Sequence, residues 1–167
     1  TNVTDSAGEF SLKFTAAELA AFDKDGDGQI EPGEGVFILS GGEDSSTGAA
    51  FDGALAGGGG SSVVTPLTTL IASLVQQGQD PATAESLVSQ AFGIDAAVDL
   101  SSYDPFDAAT QNDTKAASVL AAGAQVMNVM LQTAAVVDYA SGKDLASSNV
   151  SLTAADQLAS IVADTTQ

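Results

Sequence analysis

The sequence predicts an α+β fold, in which a small β region with a few short strands precedes an antiparallel bundle of Ala-rich helices. Residues 1–62 are rich in glycine, aspartate and serine, whereas residues 63–167 carry the apolar periodicity of helices. A run of four glycines at 57–60 lies near the junction and is typical of a linker. We therefore predict two regions, 1–62 and 63–167.

The strands of the first region are short and few. After a turn at residues 5–8, Phe10, Leu12 and Phe14 alternate with polar residues, which is the period of a half-buried strand. The run GVFILS (35–40) predicts a second strand, and Phe51 and Leu55 indicate another. Because so few strands cannot form a stable sheet alone, we expect residues 9–14 to add a strand to another domain or subunit of the same assembly.

A short helix separates the first two strands. In TAAELAAF (15–22), Thr15 is a typical N-cap residue, and Glu18 three positions later completes a capping box. Leu19 and Phe22 lie on one side of this helix, and we expect them to form its buried face.

Four longer helices are predicted in the second region, at 66–77, 81–92, 114–140 and 154–164. Proline at the first position after Thr65 and after Asp80 marks two of the starts, and Gly93 marks an end. Thr153 is the expected cap of the last helix. Positions three and four apart predict the inner face of the long helix: Ala116, Leu120, Gly123, Met127, Met130, Ala134 and Val137.

The acidic stretch between the second and third of these helices, residues 94–113, has two interpretations. Its aspartates occupy positions typical of turns and helix caps, as Asp104 before Pro105 and Asp113 before a helix show. A second ion site is the less favoured alternative. We expect Leu100, Tyr103 and Phe106 to hold this stretch on the bundle.

Composition excludes several functions. The 22 acids and four basic residues, all lysines, give a formal net charge of −18, which repels nucleic acids and anionic lipids. The longest apolar segment, 116–137, is interrupted by polar residues, so no membrane insertion is predicted. Histidine, cysteine and arginine are absent, which removes the commonest general base, the thiolate ligands and the usual phosphate clamp. The sequence therefore predicts a protein that is not an enzyme.

The strongest motif is DKDGDGQIEPGE, residues 23–34. Ca²⁺ prefers six to eight hard oxygen ligands, and a twelve-residue loop with this spacing can supply them. Gly28 permits the sharp turn, and Ile30 points into the core. The motif matches the EF-hand loop at each ligand position, which predicts a Ca²⁺ site formed by Asp23, Asp25, Asp27, the Gln29 carbonyl, Glu31 through water and Glu34 with two oxygens.

The residues after the loop indicate what the ion does. Pro32, Gly33 and Gly35 stand where a second EF-hand helix would begin, and a strand follows instead. No second loop is present for pairing. We therefore predict a structural clamp for the β region rather than a sensor, which works by separating two helices. The alternatives are a calcium-regulated binding switch, an acid-pair hydrolase, or an acidic turn that binds no ion.

Parts of the chain resemble known surface modules. TDSAGEFSL is similar to a strand-turn-strand of bacterial Ig-like or carboxypeptidase-regulatory-like repeats. The glycine-rich stretch, AFGIDAAVDLSSYDPFDAA and the helix containing AAGAQVMNVM together resemble a module of large secreted bacterial calcium-dependent adhesins and RTX-type surface proteins. This resemblance covers most of residues 1–140 and implies an extracellular or cell-surface, calcium-loaded module used in adhesion, assembly or spacing. The loop alone also resembles dockerins, which carry two such loops.

Overall fold

The structure is a computed structural model that describes residues 3–5, 8–43, 47–51, 53–141 and 148–165. These residues form a mixed α and β fold that is mostly helical, as expected, with six helices and one two-stranded antiparallel sheet. In chain order the elements are α1 (Ala16–Phe22), β1 (Val36–Ser40), β2 (Ala54–Gly58), α2 (Pro66–Gln76), α3 (Pro81–Phe92), α4 (Pro105–Thr110), α5 (Ala116–Ser141) and α6 (Ser148–Thr165).

Helix α2 lies at the centre of the bundle, where it contacts α3, α5, α6 and β2. Leu67, Leu70 and Leu74 on its inner face are almost fully buried. The predicted caps are confirmed: the Thr65 hydroxyl accepts from the Thr68 amide, and Asp80 accepts from the amides at the start of α3. Proline at the first helical position has a backbone angle already suited to a helix, and the N–H group that it lacks would have no partner within the helix. This explains why α2 and α3 begin as predicted.

The sheet joins the first region to the bundle. Strand β1 pairs with β2 in a register that sets Phe37 opposite Gly57 and Ile38 opposite Ala56. On its other side β2 meets α2, where the Ala56 amide donates to the Thr69 hydroxyl at 2.9 Å and its carbonyl accepts from Thr68 at 2.9 Å. Two helix hydroxyls therefore satisfy the outer edge of β2, which would otherwise be unpaired.

The glycine run was wrongly expected to be a linker. Gly57 and Gly58 are strand residues of β2, and Gly59 and Gly60 form the turn that follows. A side chain at Gly57 would meet the Phe37 ring at 2.6 Å. Gly57 and Gly59 are therefore glycine because other groups pack closely on them, not because the chain needs flexibility there. The division into regions 1–62 and 63–167 stays a prediction.

The predicted strand at 10–14 is wrong for the described residues, because the structure has no regular element at 8–15. The turn before it is confirmed in part, since the Gly8 amide donates to the Asp5 carbonyl at 3.0 Å; Ser6 and Ala7 lie outside the described residues. The Phe10 ring contacts that of Phe37, with centroids 5.6 Å apart. The Phe14 ring contacts that of Phe22, with centroids 6.3 Å apart. The segment therefore makes two aromatic contacts and is in no strand.

Several boundaries and faces also differ from expectation. Helix α6 begins at Ser148, so Thr153 lies inside it and is not its cap, and Ile161 is 58% exposed. A short helix, α4, was missed between 94 and 113, and Phe106 in it is 73% exposed rather than buried. The inner face of α5 is confirmed at Ala116, Met130 and Ala134. In the middle of the helix it is shifted by one position, so that Val119, Ala122 and Val126 are buried in place of Leu120, Gly123 and Met127.

The Ala116–Val137 part of α5 is long and apolar enough to cross a membrane, by length and composition alone. Its buried residues Val119, Val126 and Met130 belong to the core of the bundle. A core helix passes the same test, so this is weak evidence for a membrane span, and the expected lack of membrane insertion stays a prediction.

Candidate metal centre

The acidic loop runs from the end of α1 to the start of β1. The predicted capping box of α1 is confirmed, with Glu18 Oε2 accepting from the Thr15 amide at 2.8 Å. At the other end of the helix, the Asp23 amide donates to the Leu19 carbonyl. A side chain at Gly35 would crowd the Phe22 ring, at 3.1 Å. The two ends of the loop therefore meet beside the phenylalanine that precedes it.

Asp23 organises the first half of the loop. Its Oδ1 accepts from the Gly26 amide at 2.6 Å, and its Oδ2 accepts from the Gly28 amide at 2.8 Å. Both glycines have positive φ angles, 80° and 87°, which other residues adopt at a cost. The bond from Gly28 is the main cause that lowers the pKa of Asp23. Asp23 is therefore held as a carboxylate.

Asp25 and Asp27 turn toward the same centre. Asp25 Oδ1 accepts from the Asp27 amide at 3.1 Å, and Asp27 Oδ1 accepts from the Gln29 amide at 2.8 Å. One carboxylate oxygen from each of Asp23, Asp25 and Asp27 lies within 4.8 Å of the others. These three residues could therefore hold a metal ion, as their alternation in the sequence predicts.

Glu34 closes the loop. It is 8% exposed, and it is the one charged side chain among the buried residues that the structure describes. Its Oε1 accepts from the Lys24 amide at 2.7 Å, and its Oε2 accepts from the Glu31 amide at 3.1 Å. The carboxylate thus bridges the two sides of the loop, although it does not belong to the 4.8 Å group of the three aspartates.

The other two predicted ligands lie at the solvent side. Gln29 and Glu31 are exposed, and the Gln29 side-chain amide donates to Asp27 Oδ2 at 3.1 Å. The charges of Asp27 and then of Asp25 raise the pKa of Glu31. The site therefore carries a negative field that a bound cation would relieve. The ammonium group of Lys24 is directed elsewhere, to the Gly33 carbonyl.

The glycine turn, Gly59 and Gly60, forms the far wall of the loop, and no sequence motif had linked it to the site. A side chain at Gly59 would overlap the Glu31 carbonyl oxygen and would lie 2.9 Å from Ile30 Cγ2. Gly60 lies beside Pro32. Ile30 is half-buried and lies against this turn, not in the core as predicted. In the sequence, the only sign of this close approach was the run of four glycines at 57–60, which lacks the other residues of a phosphate-binding loop.

In the acidic stretch 94–113, aspartates act in helix caps and turns, as the favoured interpretation predicts. Asp104 accepts from two amides at the start of α4, and Asp113 accepts from the Lys115 amide at 2.9 Å. Asp95 pairs with Lys115 at 3.6 Å. Among the residues described, the Asp23, Asp25 and Asp27 group is the one cluster of acids close enough to hold a metal.

Comparisons with protein-family models, with curated proteins and with solved structures found no match for this chain. The functional argument therefore rests on the residues and their geometry.

Proposed function

We propose that residues 23–34 bind Ca²⁺ and that the ion acts as a structural clamp in a non-enzymatic module. The observation that carries this proposal is the convergence of three carboxylates within 4.8 Å, beside a buried Glu34 that bridges the loop. Uncompensated negative charges at this spacing repel one another. A divalent cation converts that repulsion into attraction.

The donor set favours Ca²⁺ over other metals. The chain has no histidine or cysteine, so any ligand set in it consists of oxygens. Ca²⁺ accepts six to eight oxygens in flexible geometry, whereas Mg²⁺ demands a tight octahedron and keeps its water. In the proposed site, Asp23, Asp25, Asp27 and Glu34 bind directly, the Gln29 carbonyl contributes one oxygen, and Glu31 acts through water.

The elements around the loop favour a clamp over a switch. The loop leads into β1, which pairs with β2, and β2 is bonded to α2. An ion in the loop would therefore tie α1, which has no buried residue, to the sheet and the bundle. The rival, a calcium-regulated or dockerin-like binding module, draws support from Phe14 and Phe22, which lie beside the loop and are 45% and 42% exposed.

For its setting, we propose a secreted or cell-surface bacterial protein in which this module serves adhesion, assembly or spacing. The support is the sequence resemblance and the negative charge. The proposed partner is another domain or subunit, bound by strand addition through residues 9–14. Within the described residues this segment belongs to no strand, and Leu12 is 37% exposed, so the segment has backbone groups and an apolar side chain to offer a partner sheet.

Thermal unfolding with Ca²⁺ and with excess chelator, at constant ionic strength, tests the clamp. A ligand at 100 times its Kd adds about 2.7 kcal/mol to the free energy of unfolding. We expect a rise in Tm with Ca²⁺ that Asp25→Asn and Glu34→Gln lose. Glu43→Gln, an exposed acid outside the loop, is the matched control and should keep it.

Two outcomes would count against the proposal. One is an unchanged Tm in the wild-type protein, which would make the loop an acidic turn. The other is an equal rise in all variants, which would show general screening of the negative charge. An apolar dye separates the rival function, because a switch would bind more dye with Ca²⁺ and a clamp would bind less.

A further inference from the structure

A cavity of about 470 Å³ lies behind the metal loop, between the sheet, one side of α2 and the start of α3. Its volume is within the range of sites for small organic ligands. Val36, Ile71, Val75 and Pro81 form apolar walls, and the end of the loop at Pro32–Gly33 forms another wall. None of its lining residues belongs to the ligands proposed for Ca²⁺.

The polar lining of this cavity is one-sided in charge. Three carboxylates line it, those of Asp80, Glu85 and Asp99, and no lysine does. Each is fixed by its own hydrogen bonds: Asp80 Oδ1 accepts from the Ala82 amide at 3.1 Å, Glu85 Oε1 from the Leu100 amide at 2.6 Å, and Asp99 Oδ1 from the Ser101 amide at 3.0 Å. A cavity with apolar walls and three hydrogen-bonded carboxylates favours a ligand that has both a positive charge and an apolar part.

Two alternative ligands fit less well. The three carboxylates do not form a cluster close enough for one metal ion, because among the described residues only the Asp23 group meets that distance. The start of α3 also lines the cavity, but Asp80 already accepts from its free amides. An anion at that helix end would have to displace this carboxylate.

We propose that this cavity binds a small organic ammonium ion, with its alkyl chain between Ile71, Val75 and Pro81 and its ammonium group among Asp80, Glu85 and Asp99. Burial is the main cause that raises the pKa of Glu85. A cation beside Glu85 would oppose that effect. The proposal does not require the loop to bind Ca²⁺, although Ca²⁺ would hold the wall at Pro32–Gly33 in place.

The test is a titration of the full chain with pentylammonium chloride, followed through backbone amide NMR shifts at constant ionic strength and saturating Ca²⁺. We expect saturable shifts at cavity residues, including Gly58 and Ala82. 1-Pentanol, with the same chain and no charge, should bind at least about tenfold more weakly, since hydrogen bonds to charged groups contribute about 1.5–3 kcal/mol.

A triple variant, Asp80→Asn, Glu85→Gln and Asp99→Asn, should weaken pentylammonium binding by at least about tenfold. Each replacement keeps an oxygen that can accept the bond to the backbone. The control carries the same loss of charge at exposed positions away from the cavity, Glu43→Gln, Asp156→Asn and Asp164→Asn, and should bind as the wild type does. Equal weakening in both triple variants, shifts confined to residues 23–34, or no saturation would overturn the proposal.

Discussion

The metal-loop region and the helical bundle are stabilised in opposite ways. In residues 8–43, α1 has no buried residue, and the loop is organised by carboxylates that accept backbone amides. In the bundle, Leu70, Leu74 and Val88 are fully buried, and carboxylates such as that of Asp80 cap helices. Apolar burial stabilises the bundle by itself, whereas the loop brings like charges together. The proposed Ca²⁺ clamp therefore predicts that the first region depends on a ligand and the second does not.

The largest expected effect comes from removing a buried side chain from the core of the bundle. Leu70→Ala should lower the free energy of unfolding by about 2–5 kcal/mol, because Leu70 is 0% exposed and its neighbours cannot fill the gap fully. Denaturant melts with Ca²⁺ and with chelator measure the loss, which should be equal in both. The control is Leu131→Ala at a residue 48% exposed, with an expected loss below about 0.5 kcal/mol. A loss of unfolding free energy that depends on Ca²⁺ would contradict the proposed difference between the two regions.

A medium effect is expected where the glycine turn after β2 meets the metal loop. Gly59→Ala places a methyl group against the Glu31 carbonyl, which belongs to backbone and cannot move freely. The expected loss is about 1–3 kcal/mol, together with weaker Ca²⁺ binding in calorimetry, because the loop must shift. Gly58→Ala is the matched control, since the nearest atom to its methyl group is 4.0 Å away. If the two variants behave alike, the glycine turn is not a wall of the site.

The smallest expected effect concerns helix capping, which can be compared between the two regions. Thr15 and Thr65 each form a capping box. Thr65→Ala should cost about 1 kcal/mol of global stability. Thr15→Ala removes a cap from a helix with no buried residue, so it should leave the global midpoint nearly unchanged and weaken Ca²⁺ binding, because α1 leads into Asp23. Denaturant melts and calorimetry measure the two quantities. A global loss in Thr15→Ala equal to that in Thr65→Ala would show that α1 is part of the cooperative core.

Local chemistry explains which features the sequence could predict. Caps, prolines and the loop ligands depend on residues a few positions apart, so Thr65, Asp80 and the alternation of Asp23, Asp25 and Asp27 were sufficient. The glycine turn against Glu31 and the hydroxyl bonds from Thr68 and Thr69 to Ala56 join distant positions, and no periodicity indicates them. The strand at 10–14 failed for a related reason: its apolar alternation is real, but alternation does not specify a ladder partner. In the structure this segment contacts β1 through the Phe10 and Phe37 rings instead.

Hydrogen exchange, measured with Ca²⁺ and with chelator, tests the calcium clamp in both regions of one sample. We expect backbone amides of α1 and of the loop, including Gly26 and Gly28, to exchange more slowly with Ca²⁺. The most protected amides of α2 and α3 should change less, since apolar burial already holds them. Asp25→Asn should abolish the difference. Unchanged exchange at residues 16–34, or equal slowing in Asp25→Asn, would contradict a calcium clamp.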